Sequence, residues 1–526
     1  MRRLTIAALL ILSCAGGAGS LRAQARDVDV LIRGGTVVDG TGAAARRADV
    51  GISKDRIVFL GDATSASIRG TRVIDATGLI VAPGFIDPHS HTLDDLSSTD
   101  RRGNVNYLMQ GVTTVVTNND GGGTIDIGER LSTWARDGIG TNAALYVPQG
   151  SVRGAVLGMS DAVATPTQLD AMRAIVARGM REGAIGMSTG LYYAPGSYAT
   201  TEEVIELAKI AARAGGLYDS HMRDEGSYTR DGVVGSVNET IRIAREADIP
   251  VHISHIKALG TDVWGQSDSI VAIIRQARAA GLDVTADQYP YLASGTSVGA
   301  ALLPRWAEVS GRDSLRARAA DPAIRPPLVS EMERNLVRRG GAASLLITST
   351  RDTSILGRTL EQVARARRAT PIEAALEIIL AGDAGVASFN MKESDVETFM
   401  VQPFVMTGSD GSNGHPRKYG TFPRKLRHYV YDTRLLTLPQ AVRSSSALTA
   451  ETLHLTDRGV LAAGMFADVI VFDPATVSDR ATYEQPTLLA TGMRYVFVNG
   501  VVAIDDGTYT GALAGRPLSR ATRAAK

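Results

Sequence analysis

Residues 79–91 read Leu79-Ile80-Val81-Ala82-Pro83-Gly84-Phe85-Ile86-Asp87-Pro88-His89-Ser90-His91, an apolar run that passes directly into a pair of histidines. A short apolar run closed by polar residues is typical of a strand that is buried on both faces. Starting from 79–86, the chain contains eight such runs, the others lying at 111–117, 142–148, 184–189, 216–220, 250–254, 282–287 and 402–408. Most are separated by stretches with helical character, so the sequence predicts an α/β fold built on a (β/α)8 TIM-like barrel.

Both ends of the chain have a different pattern, with short β-branched runs punctuated by glycine and aspartate, for example at 28–32 and 467–473. These runs predict antiparallel strands, but neither end alone has enough of them for a stable sheet. We therefore expect residues 26–80 and 456–526 to pair into one small β-sandwich domain beside a barrel spanning 81–455. The strand rhythm breaks at about 300–400, which predicts an inserted lobe between the last two barrel strands that covers the pocket.

The first 25 residues have the pattern of a secretory signal peptide. Met1-Arg2-Arg3 precedes an apolar run at 4–12, and small residues lead to Ala25. The run is too short for a permanent membrane span, so the prediction is an exported protein, periplasmic or secreted, with no transmembrane span in its mature form. The alternative is a lipid anchor on Cys14, the only cysteine of the chain. Either route leaves no internal disulfide.

Composition limits the partners of the protein. The 526 residues include 56 basic and 55 acidic side chains, a net charge of +1, with 44% hydrophobic residues. This balance provides no field to gather nucleic acid or an anionic membrane surface. We expect a small-molecule substrate, and the sequence leaves the oligomeric state open.

Four of the eight histidines lie just past the ends of predicted strands: His89 and His91 after the first, His221 after the fifth and His255 after the sixth. Asp410 follows the eighth strand. The carboxyl ends of barrel strands meet at one face, so these residues should converge there. A lone His-x-His pair is weak evidence for a metal, whereas its conjunction with two further histidines and an aspartate predicts a divalent metal site.

The remaining histidines receive weaker interpretations. The odd spacing between His252 and His255 places His252 on the opposite side of the strand, between barrel and helix. His415 either lines the pocket or stabilises a loop. No motif surrounds His428 or His454, which are interpreted as structural or solvated.

Several motifs together resemble the amidohydrolase superfamily and, within it, the D-aminoacylase family, whose members hydrolyse N-acyl-D-amino acids. The resemblance runs from about Val28 to the end of the mature chain. It rests on residues 82–91, 183–193, 221–225, 254–257, 287–291, 408–411 and 415–424. It implies an enzyme that cleaves linear amides by attack of a metal-activated water.

One position departs from the family. D-aminoacylases similar to this chain have a cysteine metal ligand where Asp120 stands, and the mature chain has no cysteine. The carboxylated lysine that bridges two metals in other amidohydrolases also has no counterpart, because no lysine lies between 55 and 208. Asp120 is therefore the expected replacement, and the alternative is that it caps a loop. The expected metal ligands are His89, His91, Asp120, His221, His255 and Asp410, holding one or two Zn²⁺ ions, with Mn²⁺ or Co²⁺ as alternatives.

The resemblance also assigns roles around the metal. Asp410 is expected to act as general base towards the water and then as general acid towards the leaving nitrogen. The positions that match the family's carboxylate-binding residues are Tyr193, Lys257, Tyr289, Tyr291 and Arg417. Arg223 and Arg424 are further candidates for which a structural ion pair is an equal interpretation. The alternative functions are an L,D-dipeptidase, a cyclic-amide hydrolase and a binding protein that has lost catalysis.

Overall fold

Eight short parallel strands form the centre of the molecule in a computed structural model that describes residues 26–520. The predicted signal peptide at 1–25 lies outside the described residues. Consecutive strands are hydrogen-bonded neighbours, and they are Phe85–Asp87, Val112–Thr117, Asn142–Pro148, Gly186–Gly190, Leu217–His221, Val251–Ile253, Val284–Gln288 and Val405–Thr407. All residues of these strands are buried. The predicted TIM-like barrel is thus confirmed.

Helices pack around this barrel with one apolar side turned inward. In the helix Thr201–Arg213, buried Val204, Leu207, Ala208 and Ala211 recur at three- to four-residue spacing. The helices outside the lobe are Leu93–Leu96, Val105–Leu108, Ile127–Asp137, Gln149–Leu157, Pro166–Arg181, Thr201–Arg213, Gly232–Ala247, Ser267–Ala279, Glu393–Met400, Arg417–Arg424, the π-helix Lys425–Asp432, Leu438–Ser445 and Ala447–Thr452. Within residues 26–520 no helix combines the length and the apolar character needed to cross a bilayer.

The first and last barrel strands are joined mainly by groups just beyond their ends. The backbone N–H of Asp410 donates to the carbonyl of His89 at 2.7 Å. The Asp87 Oδ1 atom accepts from the backbone N–H groups of His89 and Ser409, both at 3.0 Å. One buried carboxylate therefore holds together the two loops that carry His89 and Asp410.

The predicted strand 79–86 is wrong in one respect, because it contains two strands that belong to different sheets. Ile80–Pro83 pairs with a strand from each chain end, whereas Phe85–Asp87 begins the barrel. Gly84 separates them, and a Cβ atom there would lie 2.2 Å from Oγ1 of Thr113. The outer sheet thus extends past the predicted boundary at residue 80, since both strands are continuously apolar and only this close approach divides them.

The predicted β-domain from both chain ends is present as one nine-stranded, mostly antiparallel sheet. Its strands are Arg26–Val37, Arg46–Ser53, Arg56–Gly61, Ile68–Asp75, Ile80–Pro83, Val469–Phe472, Met493–Val498, Val501–Asp505 and Thr508–Tyr509. Strands from both ends share a core that includes Ile32, Val50, Val469 and Phe497. The last described residues leave this domain: Leu518 donates to the carbonyl of Ala143 at 2.7 Å and packs on the barrel, because its apolar side chain finds a buried cluster there.

The inserted lobe lies between the last two barrel strands, as expected. It contains a three-stranded antiparallel sheet and five α-helices with their own hydrophobic core. Its strands are Ala293–Ser297, Leu345–Ser349 and Gly385–Phe389, and its helices are Val298–Leu302, Arg312–Ala320, Arg325–Arg338, Leu360–Arg367 and Pro371–Ala381. Short 3-10 turns are Gly196–Tyr198 on the barrel and Arg305–Glu308, Ala342–Ser344 and Thr353–Ile355 in the lobe.

Replacing Asp87 with alanine should destabilise the protein, because two buried backbone N–H groups would lose their acceptor. We expect a loss of about 2 kcal/mol in the free energy of unfolding. Asp87→Asn is the matched control, since it keeps the volume and an accepting oxygen. Urea unfolding followed by tryptophan fluorescence measures the difference, and equal midpoints for the two variants would contradict this role.

Candidate metal centre and cavity

Six predicted metal ligands lie together at the carboxyl-terminal face of the barrel. Ligand atoms of His89, His91, Asp120 and Asp410 lie within 4.8 Å of one another, and those of Asp120, His221 and His255 form a second such group. Asp120 belongs to both groups. The structure thus brings together residues that are more than 300 positions apart in sequence.

The first group forms around two imidazoles that face each other. The Nε2 atoms of His89 and His91 are 3.2 Å apart, and His91 Nε2 is 3.0 Å from Asp410 Oδ1. The two oxygens of Asp120 lie 3.3 Å from His89 Nε2 and from His91 Nε2, respectively. Burial disfavours a charged imidazole, but the carboxylates of Asp120 and Asp410, which accept hydrogen bonds from His91, outweigh it and raise the pKa of His91 to about 9.

The second group repeats the arrangement on the other side of Asp120. His221 Nδ1 and His255 Nε2 are 2.9 Å apart, and each lies 3.4 Å from Oδ1 of Asp120. Burial would raise the pKa of Asp120, yet the facing histidines hold it well below its usual range. Asp120 is therefore an ionised carboxylate between two pairs of imidazoles.

These separations fit a divalent cation. Four ligands at zinc bond lengths of about 2.0–2.1 Å around a tetrahedral ion are roughly 3.3 Å from one another. The separations between histidine nitrogens and between histidine and aspartate atoms in the two groups are 2.9–3.7 Å, which lies around that edge length. The buried Oδ1 atom of Asp120 also lacks a hydrogen-bond partner among the described residues, as expected of an atom reserved for a metal.

Four of the six residues adopt backbone conformations that L-amino acids rarely occupy. The φ angles are +46° for His91, +56° for Asp120, +33° for His255 and +45° for Asp410. Each lies just beyond a strand end, where the left-handed turn aims the side chain back over the barrel. Such a conformation costs roughly 1–2 kcal/mol for a residue with a Cβ atom, and it is typical of functional sites.

The loop of Asp120 also depends on a glycine opposite it. A Cβ atom at Gly190, the last residue of the fourth strand, would lie 2.1 Å from the carbonyl oxygen of Asp120. Only glycine admits this approach of two backbones. The motif 183–191 therefore shapes the site although none of its residues is among the six.

The expected position of His252 is wrong. Its Nε2 atom lies 2.7 Å from Asp287 and its Nδ1 atom 3.0 Å from Thr285, on the barrel's inner face below His89. The alternation argument assumed a regular strand through His255, but the strand ends at Ile253 and the left-handed turn re-aims His255. Both residues consequently reach the interior.

Beside the six residues a cavity of about 440 Å³ opens between barrel and lobe. Four of the five predicted substrate-binding residues line it, namely Tyr193, Lys257, Tyr289 and Arg417. Tyr291 does not. It packs against His415 and under the guanidinium of Arg424, because the chain turns towards the lobe at Pro290.

Arg417 and Lys257 are each paired with an acid in the cavity. Arg417 Nη1 lies 2.8 Å from Asp410 Oδ2, and its guanidinium stacks over Tyr289 at 4.5 Å. Burial alone would raise the pKa of Asp410, but Arg417 and the histidines lower it below its usual range. Lys257 Nζ is 2.6 Å from Glu225 Oε1, which also contacts His255 Nδ1 at 2.9 Å.

The other candidates have structural partners. His415 Nε2 meets the carbonyl of Ala293 at 3.0 Å and its Nδ1 accepts from Arg417 N, so His415 stabilises its loop. Arg223 binds Glu239 and two backbone carbonyls, and Arg424 donates to the carbonyl of Pro290.

Sequence reasoning missed residues on two sides of the cavity. Glu225 stands four positions after His221, and this spacing was a usable signal for a partner of His255 and Lys257. The lobe contributes Ser294, Thr296 and Arg339, for which the sequence held no signal. Arg339 reaches the cavity from the end of a lobe helix, 82 positions after Lys257, and only the folded lobe brings the two to one cavity.

Known proteins resemble this chain along nearly its whole length. A D-aminoacylase from Alcaligenes xylosoxydans xylosoxydans is 37% identical over 527 residues, with 95% of this chain and 99% of that protein covered. A solved D-aminoacylase structure, described for its binuclear metal centre, superposes with a TM-score of 0.80 at 36% identity, covering 94% of this chain and all of that one. A solved structure of an N-acyl-D-glutamate deacylase from Bordetella bronchiseptica, complexed with zinc and a phosphonate inhibitor, superposes with a TM-score of 0.79 at 33% identity. The match covers 94% of this chain and 100% of that one.

The amidohydrolase family model (Amidohydro_3) matches residues 72–504, which include the barrel, all six grouped residues and the lobe. The resemblance predicted from the sequence motifs is thereby confirmed. The chain belongs to the amidohydrolase family and, within it, to the branch of the D-aminoacylases.

Proposed function

We propose that this protein hydrolyses N-acyl-D-amino acids, releasing a carboxylate and a free D-amino acid. The observation that carries the proposal is the Asp120 carboxylate between two histidine pairs, at one end of a cavity whose walls hold Arg417, Tyr289 and Lys257. A metal site beside a cationic, phenol-lined wall suits an amide whose amine portion bears an α-carboxylate. The named relatives act on N-acyl-D-amino acids or on N-acyl-D-glutamate.

The same geometry supports a metal proposal. Asp120, His221 and His255 would hold one divalent ion, and His89, His91, Asp120 and Asp410 would hold a second. Zinc is the favoured ion because imidazole ligands suit it, and the oxygen ligand that stands in the family's cysteine position leaves manganese and cobalt as alternatives. When bound, such an ion supplies Lewis-acid activation of water and of the scissile carbonyl.

Asp410 is the proposed proton carrier. Its Oδ1 atom faces His91, and its Oδ2 atom faces Arg417, so the carboxylate is ionised and fixed in direction. It would accept the proton of the attacking water and later give a proton to the leaving nitrogen. An α-carboxylate that binds Arg417 competes with Asp410 for the guanidinium, which would free Oδ2 as the substrate enters.

The remaining substrate contacts follow from the cavity wall. Arg417 offers a guanidinium fork, Tyr289 a buried hydroxyl that lacks a hydrogen-bond partner among the described residues, and Lys257 an ammonium. Tyr193 lies on the other side, its ring centroid 4.8 Å from that of His221. Together these groups would fix the α-carboxylate and orient the amide towards the site.

The second candidate, cleavage of L,D-dipeptides, uses the same carboxylate contacts but adds a free ammonium on the acyl side. Three carboxylates line the cavity among the described residues, and each is engaged: Asp120 with histidines, Asp410 with Arg417, and Glu225 with Lys257. An aminoacyl ammonium would have to share one of these carboxylates with its present partner or with the proton transfer assigned to Asp410, which favours a simple acyl group. The intact ligand set likewise disfavours a binding protein without catalysis.

The purified protein should hydrolyse N-acetyl-D-methionine at least roughly 100-fold faster than its L enantiomer in kcat/KM, as expected if the carboxylate contacts orient one enantiomer only. Removing metal with a chelator should abolish turnover, and added zinc should restore it. The free amino group released on hydrolysis is measured for both enantiomers and for an alanyl-D-methionine dipeptide. Hydrolysis that resists the chelator would contradict the metal dependence. A preference for the dipeptide would contradict the assignment of a simple acyl group.

Asp120→Ala should lower the number of metal ions retained per chain, because both ligand groups lose their shared carboxylate. Asp126→Ala, an exposed position in the same loop region, is the control. Metal analysis of purified protein gives the count independently of activity. Asp120→Cys should retain metal, and with Co²⁺ it should show a thiolate-to-cobalt absorption band that the native protein lacks. An unchanged metal count in Asp120→Ala would rule out the ligand role.

Asp410→Asn should lower kcat by about 10²–10⁴-fold, since the amide keeps the shape but cannot accept the water's proton. KM for N-acetyl-D-methionine should change much less. Steady-state kinetics on protein with a measured metal content separates proton transfer from metal loss. A kcat within threefold of the native value at full metal content would exclude Asp410 as the proton carrier.

A further inference from the structure

The cationic side chains that line the cavity differ in how their charge is balanced. Lys257 is 2.6 Å from Glu225, and Arg417 is 2.8 Å from Asp410. Arg339 lies within 4 Å of no carboxylate in the described part of the chain. The cavity therefore contains one guanidinium whose charge no acid neutralises.

The surroundings of Arg339 are buried and built from neutral groups. The residue is 2% exposed and directly follows the lobe helix Arg325–Arg338. Its Nη2 atom donates to the Tyr192 hydroxyl at 3.0 Å, its Nε atom to the Tyr228 hydroxyl, and its Nη1 atom reaches Oγ of Ser294 at 3.5 Å. The amide oxygen of Asn390 is a fourth neutral acceptor, 3.2 Å from Nη1 in the orientation that satisfies its hydrogen bonds.

Neutral acceptors orient a guanidinium but do not cancel its charge. Arginine stays protonated in proteins, and a buried charge is unfavourable unless a counter-ion accompanies it. Tyr192 donates its own proton to the carbonyl of Ala300 at 2.7 Å, so it meets Arg339 as a neutral phenol. The guanidinium is thus held in place on the cavity wall, where a carboxylate would supply the missing negative charge.

Arg339 lines the same cavity as His221 and is linked to it through Tyr192. The Tyr192 hydroxyl contacts Arg339, and the Tyr192 ring centroid is 5.9 Å from that of His221. Arg417, by contrast, stands on the barrel side, between Asp410 and Tyr289. The cavity is therefore lined by two guanidinium groups, one from the barrel and one from the lobe.

We propose that Arg339 binds a second carboxylate of the substrate, so that the preferred substrates are N-acyl-D-amino acids with two acidic groups. The inference rests on the proposed function, which assigns the α-carboxylate to Arg417. The second carboxylate belongs either to the side chain, as in aspartate or glutamate, or to a dicarboxylic acyl group. In either case the group that Arg339 would recognise is a carboxylate.

The test compares substrates that differ only in this charge. N-acetyl-D-glutamate against N-acetyl-D-glutamine probes the side chain, and N-succinyl-D-alanine against N-butanoyl-D-alanine probes the acyl group. The native enzyme should prefer the acidic member of at least one pair by tenfold or more in kcat/KM. The pair that shows the preference identifies where the second carboxylate lies.

Variants assign the preference to Arg339. Arg339→Met should lower kcat/KM for the preferred acidic substrate by roughly 10- to 100-fold, as expected for a lost charge-assisted hydrogen bond, and change the neutral partner by less than threefold. Arg338→Met removes the same charge from the preceding, partly exposed position outside this cavity and should leave both values unchanged. Arg339→Lys keeps the charge and should retain part of the preference for the acidic substrate. This variant still tests the proposal if the methionine variant folds poorly.

The outcomes separate this inference from the proposed function. Hydrolysis of the neutral substrates with no preference for either acidic one would overturn the role of Arg339 and leave the deacylase proposal intact. An equal loss on acidic and neutral substrates in Arg339→Met, at native metal content and unfolding temperature, would reduce Arg339 to a structural residue. If none of the four substrates is hydrolysed, the proposed function itself fails.

Discussion

The site depends on one electrostatic arrangement, the mostly buried Asp120 carboxylate between two pairs of imidazoles. A carboxylate at this depth is stable only where positive charge or a cation faces it. Four histidines do so, at 3.3–3.4 Å from its oxygens. The barrel provides their positions, because parallel strands end at one face and left-handed turns direct the side chains inward. The few residues past each strand end therefore both complete the fold and carry the chemistry. Gly190 is required as glycine because the backbone of Asp120 approaches it closely.

An oxygen ligand in place of the sulfur expected from the family resemblance would change more than the metal preference. A thiolate offers one soft donor atom, whereas a carboxylate offers two hard ones that can face different partners. In this chain Oδ1 of Asp120 faces His89, His221 and His255, and Oδ2 faces His91. If the proposed metals bind, the carboxylate could therefore serve both groups without the carbamate that a lysine would form. In that case the region requires neither a cysteine nor a lysine.

The sequence predicted those parts of the molecule that depend on local pattern. Eight apolar runs indicated the barrel, and the residues just past them included all six grouped residues. Sequence-based prediction failed where a backbone turn or a contact between distant residues determines the position of a residue. Alternation placed His252 outside the barrel because no pattern reveals that the strand stops at Ile253. The run 79–86 looked like one strand because only the contact between Gly84 and Thr113 divides it. Arg339 was not predicted as a site residue, since its place in the cavity depends on how a separate lobe folds.

Arg339 could not be predicted because barrel and lobe contribute different parts of the cavity. The candidate metal ligands, Asp410 among them, stand on or just past barrel strand ends, and Asp87 joins the two loops that carry His89 and Asp410. The lobe instead has its own hydrophobic core, so its cavity-facing residues can change with little disturbance to the barrel. Residues such as Ser294 and Arg339 line the cavity from that independent unit. A second guanidinium placed there can alter which substrates are bound while the chemistry of bond cleavage stays the same, because no reacting group moves with it.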